Sequence, residues 1–117
     1  MPNIETLQQL IKDIGLEPAQ KLIIMFQKDV NERLDFIHEH LETGGDVKAL
    51  RDQAHTLKGL CLSYGAKLGS EAAKDLQEAC NDGDESLIQA KARAALEIIP
   101  IDVKAVATFI ATCTANA

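Results

Sequence analysis

The chain has 117 residues, the length of one domain that buries about two-thirds of its unfolded surface in a single core. No Trp, one Tyr and three Phe, with few Pro and Gly among many Ala, Leu and Ile, favour helices over a β-sandwich. A net charge of −6 excludes a general nucleic-acid binder, which needs a basic face, and no apolar run approaches the ~18 residues of a membrane span.

Asn3 is the predicted N-cap of a first, short helix whose apolar stripe is Ile4, Leu7, Leu10, Ile11 and Ile14, and Gly15 ends it. Pro18 suits the first turn of a second helix, where its missing N–H has no partner to lose. That helix runs to about Glu42, with Leu22, Met25, Phe26, Val30, Leu34, Ile37 and Leu41 facing inward, and Thr43-Gly44-Gly45 stops it. His38 and His40 lie on it but diverge by about 200° at 3.6 residues per turn, so they cannot share one metal ion.

Asp46 caps a third helix, whose residues Val47, Leu50, Ala54, Leu57, Cys61 and Tyr64 recur at steps of three and four and so point into a core. His55 stands about 100° round the axis from Ala54, at the edge of the solvent face, with Arg51 and Asp52 one turn before it and Lys58 and Gly59 one turn after. Gly59 is costly inside a helix, by about 1 kcal/mol relative to alanine. Helical side chains lean toward the N-terminus, so a large residue at 59 would hang over the His55 ring, and glycine leaves the approach open. An accessible imidazole is a nucleophile with a neutral form near neutral pH, and Lys58 places a cation beside it. Such a set suits a group carrying negative charge, a phosphoryl group foremost. Between Lys48 and Lys67 the bases Lys48, Arg51, Lys58 and Lys67 outnumber the single acid Asp52, a positive patch on an acidic chain. Leu62, two turns past His55, falls on the same outward face.

A few residues separate this helix from a fourth that opens at Lys67 or Leu68, faces Leu68, Ala72, Leu76 and Cys80 inward, and stops at Asn81-Asp82-Gly83; a connection so short makes an antiparallel hairpin. Gln77, beside Leu76 on the wheel, can point along the groove toward His55. Asp84 caps a fifth helix through Leu87, Ile88, Ala94, Ala95 and Ile98. Pro100 is expected to interrupt it, leaving one kinked helix or two, with Asp102 as N-cap of a last segment from Val103 to about Cys113.

The run His55-Thr56-Leu57-Lys58-Gly59, preceded by the small Ala54 and followed by a second glycine, Gly65, resembles the signature of histidine-containing phosphotransfer (HPt) domains. The resemblance extends over most of the chain. It implies an all-α fold, an antiparallel up-and-down four-helix bundle with a short extra N-terminal helix, occupying residues 1–117 as one domain. It further implies a phosphorelay intermediate that accepts a phosphoryl group on His55 from a receiver-domain aspartyl phosphate and passes it to another receiver. In that family a glutamine twenty-two positions after the histidine often supports the ring; here it is Gln77. On this reading Lys58 balances the phosphoryl charge and Gly59 keeps access clear, while Leu62, Arg51 and Gly65 are docking residues. The expected partners are receiver domains of a hybrid histidine kinase and of response regulators, with no nucleic acid and no membrane.

No ATP-binding glycine loop and no converging carboxylates are found, so no cofactor is expected in the chain itself, and Mg²⁺ is expected on the receiver. Cys61, Cys80 and Cys113 have no CxxC spacing, which suggests neither a disulfide framework nor a zinc site but small core residues in a reducing compartment. With no charged-then-apolar leader at the N-terminus, the cytoplasm is the expected location and a free-standing monomer the expected form. The alternative is a helical adaptor that binds partner proteins without covalent chemistry. A metal-binding bundle would need inward Glu-x-x-His sets, and a kinase dimerisation domain an adjoining ATP-binding domain; the sequence has neither.

Overall fold

The computed structural model describes residues 2–113, which form five helices and, among the described residues, no strand. They are α1 (Ile4–Ile14), α2 (Leu16–Thr43), α3 (Val47–Ser63), α4 (Lys67–Asp82) and α5 (Glu85–Thr112). Three starts follow from local capping chemistry: the Asn3, Asp46 and Asp84 side chains accept from the backbone N–H groups of Thr6, Lys48 and Leu87. The glycine stops at 15, 44 and 83 fall where expected, each donating its N–H back to the preceding turn.

α2 packs against α3 and α5, and α4 packs against the same two, so these helices enclose one core. Ile23, Phe26, Val30 and Ile37 enter it from α2, Leu50, Ala54, Leu57 and Cys61 from α3, Ala73 and Leu76 from α4, and Ala92, Ile99 and Val106 from α5. The Phe26 and Tyr64 rings lie 4.8 Å apart, and Arg33 Nη1 donates to Gln53 Oε1 at 2.9 Å, so α2 and α3 run in opposite directions. The short α1 packs on α2 through Leu7, and its entry is tied down by a 2.7 Å hydrogen bond from the Asn3 N–H to the Gly65 carbonyl.

Several expectations are overturned. α5 continues through Pro100 without interruption. The proline still removes one helical N–H, but Ile99, Val103 and Val106 are buried on both sides of it, and their packing holds the helix where local preference alone would end it. Asp102 therefore caps no final segment. It is buried, and its Oδ2 accepts the Gly69 N–H at 2.8 Å, serving the N-terminus of α4, where Ala66 offers no side-chain cap. Met25 is 65% exposed rather than inward, because the stripe through Ile23, Phe26 and Val30 leaves it on the opposite side of α2. Leu68 and Ile98 also stand in solvent, facing each other with Ile101 across a shallow groove between α4 and α5. Val47 and Leu87, in the first turns of α3 and α5, are partly exposed for want of a neighbour beyond the helix end.

Candidate functional site

α3 is unbroken from Val47 to Ser63, so the spacing read from the sequence is realised in space. Leu50, Ala54, Leu57 and Cys61 are fully buried and fix the rotation of the helix; His55 is consequently exposed. Lys58, one turn on, is half-buried. Gly59 is exposed, and a Cβ built there would meet nothing within 4 Å. Its φ is not in the positive region and no neighbouring helix needs the room, so nothing in the isolated chain calls for glycine at this position. Leu62 is 63% exposed on the same face. Arg51 Nη2 lies 3.3 Å from Asp52 Oδ1, so the one acid in the positive patch is already spoken for.

The second wall is α4. Ser70 Oγ donates to the Lys58 carbonyl at 3.0 Å, and a Cβ on Gly69 would lie 3.2 Å from Cys61 Sγ, so small residues bring the two backbones together. Burial raises the Cys80 thiol of α4, and the positive charge of Arg51 opposes that rise. The Ser70–Lys58 bond, with the short turn at 64–66, sets an antiparallel register in which His55 is level with Ala73 and Lys74, and Gln77 stands about one turn further, level with Arg51 and Asp52. Because Gln77 leans toward the N-terminus of α4, it leans toward His55. Its Oε1 is buried without a hydrogen-bond partner, so it accepts nothing from the imidazole here.

Gly65 was expected on the docking face and is instead buried under α1. Its φ is +80°, and a Cβ there would come within 2.9 Å of the Asn3 carbonyl oxygen. Its glycine serves the turn between α3 and α4 and the seating of α1, not a partner. Ser70 was not foreseen, though a helical wheel of α4 set against α3 would have found it, and Asp102 was expected to cap its own segment because its partner lies on a different helix and leaves no trace in local sequence.

The helical bundle thus buries one side of α3 and leaves on the other a solvent-facing imidazole, a lysine one turn on and an uncovered approach over Gly59. The model of the Hpt domain family matches residues 21–109, and the chain belongs to that family, which assigns it to histidine phosphotransfer in phosphorelays. Comparison with curated proteins and with solved structures found no match. Among the described residues no helix is long and apolar enough to cross a membrane.

Proposed function

We propose that this chain is a phosphorelay intermediate that takes a phosphoryl group onto His55 from the aspartyl phosphate of one receiver domain and yields it to another. Nε2 of the neutral imidazole attacks phosphorus in line; the N–P bond forms as the P–O bond to the aspartate breaks, and the carboxylate leaves with the electron pair while Nδ1 keeps its proton. The transfer is reversible, as an intermediate requires. Lys58 balances the phosphoryl oxygens. Gln77 Oε1, buried and unpaired, is suited to accept from the imidazole N–H and so to hold the ring. Leu62 and Arg51 form the rim on which a receiver rests. The receivers of a hybrid kinase and of response regulators are the proposed partners, the Mg²⁺ belongs to the receiver, and the domain works as a cytoplasmic monomer with no ATP site of its own. The same reading takes α2 to α5 as an antiparallel up-and-down four-helix bundle with α1 as the extra N-terminal helix, which the cross-helix pairs above support.

The observation that carries the proposal is the open space over Gly59 one turn beyond an exposed His55. The test is incubation with a phosphorylated receiver or acetyl phosphate, followed by assay for an acid-labile, base-stable modification. His55→Gln is expected to abolish it and to leave the helical fold intact. Phosphate incorporated by that variant would exclude His55 as acceptor, and a wild-type chain that binds receivers but takes no phosphate would favour the adaptor.

A further inference from the structure

The phosphoryl group carries about two negative charges, and α3 supplies one unpaired cation beside it, Lys58, since Arg51 already faces Asp52. We infer that Lys74 of α4 is the second cation of the site, closing on the phosphoryl oxygens from across the groove once His55 is phosphorylated. This rests on the reading of His55 as the acceptor.

The placement follows from the register. Starting from the bond between Ser70 Oγ and the Lys58 carbonyl, Lys74 lies four residues along α4 and His55 three residues back along α3, roughly 6 Å and 4.5 Å in the same direction at ~1.5 Å per residue. The two positions are thus level to within about 1.5 Å on helices whose axes stand about 8–10 Å apart, a gap a lysine stem spans. Lys74 is about 40° further from the core than Ser70 on the α4 wheel, so its head belongs at the mouth of the groove. Neither other lysine of the patch can replace it. Lys67 is displaced along α4 in the direction away from His55, and Lys48 lies nearly two turns before His55 on α3.

Lys74 is also held loosely at rest. Its Nζ is 3.9 Å from Glu78 Oε1, one turn further along α4, with both side chains about 60% exposed: 60% for Lys74 and 61% for Glu78. A pair that long and that wet is weak. A phosphoryl dianion one groove-width away outcompetes a single carboxylate, so phosphorylation draws the ammonium from Glu78 toward His55. Glu78 then acts as a parking place that keeps Lys74 off the neutral imidazole until the charge arrives.

The experiment measures the equilibrium constant for transfer between a receiver aspartyl phosphate and His55, in low and high salt. An equilibrium constant between dissociated species is blind to how tightly the two proteins dock, which a transfer rate is not. Lys74→Ala is expected to lower the phosphorylated fraction of this chain by about two- to fivefold in the constant, the size of one exposed ion pair, and Lys74→Glu to lower it further. Lys74→Arg should restore it, Glu78→Gln should raise it, and the differences should shrink near 1 M salt, where the Debye length falls to about 3 Å. A merely structural role for Lys74 would show none of the salt dependence. Wild-type constants for both Lys74→Ala and Lys74→Glu at low salt, with His55 still phosphorylated, would overturn the inference and leave the relay reading standing. A wild-type chain that takes no phosphate at all would sink both.

Discussion

Replacing Gly59 by alanine should make the protein more stable and leave room for chemistry; replacing it by glutamine should keep the stability and stop the chemistry. A glycine in a helix interior costs about 1 kcal/mol against alanine because the unfolded chain has more freedom to lose. Here no opposing contact offsets that cost. The Cβ position is empty to 4 Å, and the backbone is not in the positive-φ region. Gly59→Ala is therefore expected to raise stability by about 1 kcal/mol, roughly 4 °C in Tm for a domain of this size, read by far-UV circular dichroism on heating and in urea. Glutamine is a good helix former, so Gly59→Gln should be no less stable than wild type, but its side chain leans back over the ring of His55. Transfer from a phosphorylated receiver should fall by at least about tenfold, because a displacement near 1 Å from in-line geometry can cost on the order of 10²-fold. A destabilised Gly59→Ala would show that a neighbour fills this space after all. A Gly59→Gln variant with wild-type transfer would show that access over the imidazole does not limit the reaction.

The buried Asp102 should be the most sensitive polar position of the fold. Asp102→Ala strands the Gly69 N–H and removes the cap of α4, for an expected loss of about 2 kcal/mol in urea unfolding, with Asp102→Asn losing less because its amide oxygen still accepts; an unchanged midpoint would refute the cap. The thiols predict behaviour in base. Burial, and after it the Asp102 carboxylate, pushes Cys61 up to about 12 from 9.0, and burial raises Cys80 against the opposing Arg51 guanidinium. A folded-state value raised in this way leaves stability intact below pH 9, where both states hold the proton. Stability is lost as pH climbs from 9 toward 12, where the unfolded chain ionises first, with a slope of at most about 1.4 kcal/mol per pH unit for Cys61. Unfolding free energies between pH 8 and 11 check this, Cys61→Ala being expected to flatten the decline; in the native protein the partly exposed Cys113 should react with an alkylating agent before either buried thiol.

What was legible in the sequence was what local chemistry decides. Asn3, Asp46 and Asp84 cap helices because a short polar side chain can reach its own N–H groups, and that requires nothing from the rest of the chain. The trio His55, Lys58 and Gly59 was legible for the same reason, since one turn of one helix sets their relation. Pro100 and Asp102 were misread by one error. Both were judged by their effect on the segment that contains them, while the outcome was decided by what packs across from it: apolar contacts carry α5 through the proline, and Asp102 spends its acceptor on α4. Leu68, Ile98 and Met25 failed because an apolar residue at the flank of a stripe faces inward only if a neighbouring helix lies on that side. The positions of Gln77 and Lys74 relative to His55 could not be obtained without the register of α3 on α4.

That register is held by polar contacts more than by the core. Apolar burial rewards contact without direction, and a helix carrying Ala72, Ala73, Leu76 and Ala79 against a similar partner loses little by sliding a fraction of a turn. A hydrogen bond does not permit the slide. Three of them meet at the start of α4: Ser70 Oγ to the Lys58 carbonyl, the Gly69 N–H to Asp102 of α5, and the Asn3 N–H to the Gly65 carbonyl in the turn. The first clamps the two arms of the α3–α4 hairpin together, and the other two tie that hairpin to α5 and to the entry of α1. Together they fix along the axis what the core fixes only around it. The groups that would meet a phosphoryl dianion stand on two helices, and a slide of one residue, about 1.5 Å, is enough to move one set off the other. The positioning of the exposed face is thus decided in the joint at one end of the groove, whose nearest anchor on α3, Lys58, stands one turn from the imidazole that uses it.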